Sequence, residues 1–305
     1  MILVSGNLVY DTLTGPITEI RFGGTVWVDR IEGHMGGNGA NTAYAAGLLG
    51  APVRLLGMVG DDDYGHKIRE RLSGAGVDLS FLMTGVHGTA SSIALVRQDG
   101  ARALLHRPGV SREAFAEPFS ITQEMARECT HCHLANPFPL PQVRGQAPRM
   151  LREARAYGMT TSLDTGWDSL GEWFKVIEPC LPGLDLLFVN EDEARELTGT
   201  GDPELAAGFF LKAGVGCVIV KLGARGAVAF DNFRRVESPA FPVAAIDTTG
   251  AGDCFVGAFL AARQFGYPVE RALRLANAVA ARSVSAIGST SGLLRLDETL
   301  VWAGL

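Results

Sequence analysis

The chain has no excess of positive charge: 27 Lys and Arg against 33 Asp and Glu leave a net charge of −6 over 305 residues. A broad nucleic-acid or membrane-surface footprint needs a basic face, so neither partner is expected. Long hydrophobic runs are also missing. The longest, Phe255 to Ala262, falls far short of the roughly 20 residues that cross a bilayer. The opening MILVSGNLVYD carries no basic leader, and a cytoplasmic location is the expectation. Cysteine is scarce, five residues at 129, 132, 180, 217 and 254, an odd and scattered set that reads as reduced thiols rather than a disulfide framework. No repeat, low-complexity tract or Pro/Gly/Ser linker divides the chain. At 47% hydrophobic residues it can bury a large core, and disorder does not fit.

What is present is alternation. Strand-like runs at 1–5, 53–59, 130–135, 159–164, 185–189 and 216–221 alternate with helical patterns near 39–49, 65–75, 142–157, 172–181, 190–198 and 203–213. That is the βαβ pattern of a mostly parallel sheet covered by helices on both faces. The last third adds strands at 225–230 and 233–237 and helices at 252–265 and 269–285. Two stretches break the rhythm: 17–31 and 90–106 read as hairpins, turning at Gly23-Gly24 and Asp99-Gly100. They predict a small β lid, formed by about 12–35 and 88–108, on a single α/β domain spanning 1–305.

The stretch DTTGAGD, 247–253, puts two acids around residues without bulk, just before an apolar helix. Such a run exposes unpaired amides at the positive end of the helix, a nest for anions. An acid at its mouth is either a helix cap or a base that takes a proton from a hydroxyl as charge moves onto a phosphoryl group. A second stretch, GGNGANTAYAAGLLG at 36–50, is a poor dinucleotide fingerprint, because Gly37-x-Gly39-x-x-Thr42 lacks the third glycine and no buried parallel strand precedes it. Its glycines instead allow close approach to a small ligand, and Asn38 and Asn41 offer amides suited to hydroxyls, with helix capping by Asn41 as the alternative.

Together these two stretches resemble the signatures of the PfkB/ribokinase family of carbohydrate and nucleoside kinases: Gly36-Gly37-Asn38-Gly39-Ala40-Asn41 through Gly50 and Gly60, then Asp247 to Asp253 with Gly257-Ala258. The resemblance implies a ribokinase-like three-layer α/β/α core with a mostly parallel central sheet and a β lid. It also implies an ATP- and Mg²⁺-dependent kinase acting on a hydroxyl of a sugar or sugar-like acceptor. By this resemblance Asp253 is the catalytic base, and Gly250, Ala251 and Gly252 with it form the anion hole. Asp11, Gly37, Asn38 and Asn41 hold the acceptor, and Asn136 joins them. Many sugar kinases of the family have Lys where this chain has Asn38.

The same resemblance assigns Asn190 and Glu193, in NEDE, to the phosphates and the hydrated Mg²⁺, although the letters also spell a capping box. Lys221, Gly223 and Gly226, in KLGARG, would line the nucleotide, and Asn277 would lie beside the adenine. Asp247 and Thr249 would help hold a monovalent cation such as K⁺, with backbone oxygens from Ser283 to Gly288. A nucleoside kinase of the same fold is the nearest alternative. A ligand-binding protein without turnover and a nicotinamide oxidoreductase are the alternatives from other classes. Open lid strands would allow a homodimer.

Three features stand outside these assignments. CTHCH, 129–133, has Cys-x-x-Cys spacing but no second pair of ligands, which argues against structural zinc; its two histidines fall on one face of a strand. Asp164 in DTGWD could serve phosphates or cap a loop. Arg107 in HRPG reads as a solvated arginine, with a substrate anion as its other candidate partner.

Overall fold

The computed structural model describes residues 1–20, 22–97, 102–117 and 119–305. Among the described residues thirteen strands are formed in chain order: β1 Ile2–Gly6, β2 Val9–Gly15, β3 Arg30–Gly36, β4 Val53–Gly60, β5 Leu82–Gly85, β6 Ser91–Val96, β7 Arg102–Arg107, β8 His131–Ala135, β9 Thr160–Asp164, β10 Leu186–Asn190, β11 Cys217–Lys221, β12 Ala227–Asp231 and β13 Arg235–Ser238. The helices are α1 Asn38–Leu48, α2 Asp63–Gly74, α3 Gln123–Ala126, α4 Pro141–Ala156, α5 Phe174–Ile177, α6 Glu191–Thr198, α7 Pro203–Lys212, α8 Ala251–Gln264, α9 Val269–Val284 and α10 Leu296–Ala303.

Nine strands form the main sheet in the order β13-β12-β11-β10-β9-β8-β1-β4-β5. Pairing is parallel from β11 to β5, and β12 and β13 are added antiparallel. The central strands are buried on both faces, because helices cover both. One core packs α4, α6 and α7 on one face through residues such as Leu151, Leu197 and Phe210. The other packs α1, α2, α8 and α9 through Ala43, Leu72, Phe259 and Leu275. This is the ribokinase-like three-layer arrangement expected.

The lid is a separate four-stranded sheet, β3-β2-β6-β7, and it differs from expectation. The turn near Gly23 is in place, but the paired strands are β2 and β3, in register from Val9↔Gly36 to Gly15↔Arg30, and the described residues of 17–29 contain no strand. The alternation in ITEIRFGGTVWVDRI suggested strands, yet Phe22 and Trp27 are almost fully exposed, so no packed surface rewards pairing there. Asp11 accordingly lies inside β2, rather than at the end of β1. In the second hairpin β6 and β7 pair from Ser91↔Arg107 to Val96↔Arg102, and its anticipated turn at Asp99-Gly100 lies outside the described residues. The helix expected over 172–181 is reduced to α5 and one further tight turn.

Candidate active site

The chain ends of β1, β9, β10 and β11 converge on the first turn of α8. That helix starts at Ala251, with Gly250 as its N-cap in the left-handed region (φ 71°) and no side chain capping it. The amides of Gly252 and Asp253 therefore have no partner within the helix. Asp253 is the third helical residue, one position deeper than in the helix expected over 252–265, and capping is not its role. Its buried carboxylate accepts hydrogen bonds from Asn38 Nδ2 at 2.8 Å and Asn41 Nδ2 at 2.9 Å. Burial raises its pKa above the ordinary carboxylate value, the Asn41 bond opposes this, and the charge of Asp164 adds to it.

Asn38 and Asn41, expected as amides suited to hydroxyls, each spend one Nδ2 hydrogen bond on Asp253 and keep a second N–H donor. Asn38 Oδ1 in turn accepts from Asn136 Nδ2 at 3.2 Å, so Asn136 joins the site at second hand. Asn41 Oδ1 is buried without a partner. The glycines of this turn also serve the fold. Gly37 has φ 94° and its α-carbon leaves no room for a side chain against Asn7 and Leu8. Asn7, which the sequence reading passed over, accepts from the Asn38 amide through Oδ1 and from the Gly39 amide through its carbonyl. A polar residue just past the end of a central strand was the available signal.

Opposite this turn lies an ion cluster. Lys221 Nζ donates to Asp164 Oδ1 at 2.7 Å, and a side chain at Gly252 would come within 3.3 Å of the same nitrogen. Burial alone would lower the Lys221 pKa, but Asp164 and Glu193 overcome it and hold the amine charged. Glu193 is buried, and desolvation raises its carboxyl. It completes a capping box with Asn190, accepting from the Asn190 amide at 2.9 Å while Asn190 Oδ1 accepts from the Glu193 amide at 2.8 Å. Thr165 Oγ1 also donates to it, at 2.9 Å. Asp164 is thus part of the cluster, whereas its neighbour Asp168 is the loop organiser, bound by Arg144 and three backbone amides.

The other anticipated residues fall around this centre. Asp247 accepts from the amides of Thr249 at 3.0 Å and Gly288 at 3.1 Å, tying the glycine loop to the 285–292 segment. Gly223 is open on its side-chain side, and Gly226 abuts the backbone at Ser238, where a side chain would not fit. Asn277 is buried and donates to the Ser238 carbonyl and hydroxyl and to the Pro239 carbonyl. Its amide donors face β13 and not open space. Near it, Ser238, Pro239, Arg271 and Arg274 border a surface cavity of about 600 Å³.

Asp11 sits beside Gly36, where any side chain would collide with its carboxylate. Burial raises its pKa, and Ser92, His106 and His34 pull the other way. Arg107 turns to the Thr89 carbonyl at 2.8 Å. His131 and His133 both bond Ser162 Oγ at 2.7 Å, and burial pushes Cys132 up to about 12, so CTHCH belongs to the core.

A bare helix start, a charged lysine and a carboxylate held by two amides match what phosphoryl transfer requires. The profile of pfkB family carbohydrate kinases matches residues 2–295. The chain belongs to that family. It is a kinase, a phosphotransferase acting on a sugar-type hydroxyl. The ATP-dependent ribose-1-phosphate kinase of Halopiger xanaduensis is 35% identical over 84% of this chain and 82% of its own. The structure of Arabidopsis thaliana ribokinase complexed with ribose and ATP superimposes with a TM-score of 0.87 at 26% identity, covering 100% of this chain and 98% of that one. A putative ribokinase II of E. coli in complex with ATP and Mg²⁺ gives 0.86 at 25%, covering 99% and 98%. Among the described residues no helix is long and apolar enough to cross a membrane.

Proposed function

We propose that this carbohydrate kinase transfers the γ-phosphate of ATP to a hydroxyl of a small sugar, with Asp253 as the base. The observation that carries this reading is the Asp253 carboxylate, buried between Asn38 and Asn41 and facing away from any capping role. The residues fit a polyphosphate: the first-turn amides of α8 and Lys221 are donors around a space that Gly252 leaves empty. When bound, MgATP supplies the transferable phosphoryl group and neutralises part of its charge. Gly250 to Asp253 direct amides at the developing negative charge, and Lys221 holds a compensating positive charge. Asp164 and Glu193 would face Mg²⁺ through its waters, since the ion keeps most of its hydration shell. Asp253 accepts the acceptor's proton as transfer proceeds, and Asp11 orients the acceptor from the lid.

Asp247 and Thr249 are proposed to respond to a monovalent cation such as K⁺, supported by the Asp247 link to Gly288. Asn190, Gly223, Gly226 and Asn277 are proposed to border the nucleotide at one remove. A nucleoside acceptor remains the second reading. The lid face carrying Ile31, Ile93 and Leu105, all exposed, is proposed to pair with a second copy. An ATP-dependent ADP-release assay over sugars and nucleosides tests the proposal. Turnover with ATP and a sugar is expected, and NAD(P) binding without ATP dependence would overturn it.

A further inference from the structure

Four polar side chains form one cross-strand row over the full width of the lid. The register pairs Asp11 with His34 on one side and with Ser92 on the other, and Ser92 with His106. Residues directly paired across a sheet project to the same face. The row is joined chemically as well: Ser92 Oγ bonds His106 Nδ1 at 3.0 Å, and Asp11 bonds Ser92 and feels both histidines. Its inner end reaches the core, because His34 Nδ1 lies 3.5 Å from Ser291 Oγ and packs on Gly288, whose amide bonds Asp247. The row therefore looks onto the segment that carries the phosphoryl-transfer loop.

Its charge is informative. At the level of Asp11 no lysine or arginine belongs to the row. Arg30 stands opposite Gly15 beside Glu32, four residues along the strand and so about 13 Å away at the usual rise. Of the nearer cations, Arg107 donates to the Thr89 carbonyl and Lys221 to Asp164. Lys67, over the Tyr10 ring, and Arg71 border a cavity on the Tyr10 side of the strand, the side opposite Asp11, and His34 also touches that cavity. Burial lowers the His106 pKa, and Asp11 only opposes this. A phosphate or carboxylate placed on the Asp11 face would meet the Asp11 carboxylate with no lysine or arginine of the row beside it among the described residues, whereas hydroxyls find acceptors and donors in turn.

We propose that His34, Ser92 and His106 are specificity residues which, with Asp11, read the hydroxyls of an uncharged acceptor and reject acceptors already carrying phosphate or carboxylate. The inference rests on the kinase reading. It is tested by calorimetric titration of the whole chain, loaded with Mg²⁺ and a non-hydrolysable ATP analogue. The titrants are neutral pentoses, hexoses and nucleosides, and then the phosphorylated and carboxylate forms of the same compounds.

The expected result is binding of at least one neutral compound, at least tenfold tighter than its charged forms. For that compound His106→Ala should raise KM about five- to tenfold, the worth of one lost hydrogen bond, with kcat falling less than threefold. His106→Gln, which keeps a donor and an acceptor, should recover part of the loss, and His34→Gln should add to it. Tighter binding of a charged form, binding of no neutral compound, or an unchanged KM in both histidine variants would overturn the inference. Titration of the ATP analogue alone reports on the kinase reading separately.

Discussion

The corner around Asp253 and the lid row around Asp11 are both polar, but they are built in opposite ways. At Asp253 the partners are buried or half-buried and come from three different elements: α1 gives Asn38 and Asn41, β9 gives Asp164, and β11 gives Lys221. At Asp11 the partners come from neighbouring strands of one sheet, whose outer strand is exposed. The first arrangement holds geometry by packing, and the second presents a surface. Chemistry common to a family suits the former, and selection among acceptors suits the latter.

The sharpest way to break this contrast is Asp253→Asn. It should lower kcat about 10³-fold, within the usual worth of a general base, while calorimetry shows ATP binding retained; an unchanged kcat would remove the base. Lys221→Met comes next. It strands Asp164 and Glu193 as buried charge and should cost about 3–5 kcal/mol of stability, read by chemical denaturation. A loss under about 1 kcal/mol would mean that water already screens the cluster.

A third test uses pH. Asp253 has a folded pKa raised above its unfolded value, so kcat/KM should fall on acidification through a limb lying above the ordinary carboxylate range. Because the Asn41 bond lowers that pKa, Asn41→Ala should move the limb to higher pH; a shift to lower pH would contradict the geometry. Gly36→Ala, which crowds the Asp11 carboxylate, should raise the acceptor KM about tenfold, as expected for one displaced polar contact, with little change for ATP. Smallest of all, Trp27→Ser on the exposed lid loop should alter stability by no more than about 0.5 kcal/mol.

Much of the fold was legible because βαβ alternation writes itself into sequence: the parallel strands and the helices α1, α2, α4, α6 to α9 fall within a few residues of their expected places. The lid strands were displaced because residues 17–29 carry strand-like alternation with nothing to pack on, and the short β5 gave no signal. The glycine-rich stretch at 247–253 pointed to Asp253, and the family resemblance pointed to Asp11. What they could not reveal is which partner each amide chooses. Asn38 and Asn41 look suited to hydroxyls, yet α1 and α8 cross so closely that Gly257 meets the Thr42 carbonyl, which brings one donor of each amide onto Asp253. The Asp164–Lys221 pair was hidden for the same reason, since its members lie 57 positions apart.

Strand β2 runs parallel to β6, with Tyr10 set against Ser91, and β3, α1, β4, α2 and β5 all lie between them in the chain. The platform above the active site is consequently stitched from two distant threads and is no detachable insert. Its β2–β6 pairing is a long-range contact that spans two strands of the main sheet, β4 and β5, the kind of pairing that forms slowly, and the platform cannot be transplanted as a cassette into a relative. New acceptor preferences on this scaffold would have to arise by exchanging single side chains along a row whose frame is already set.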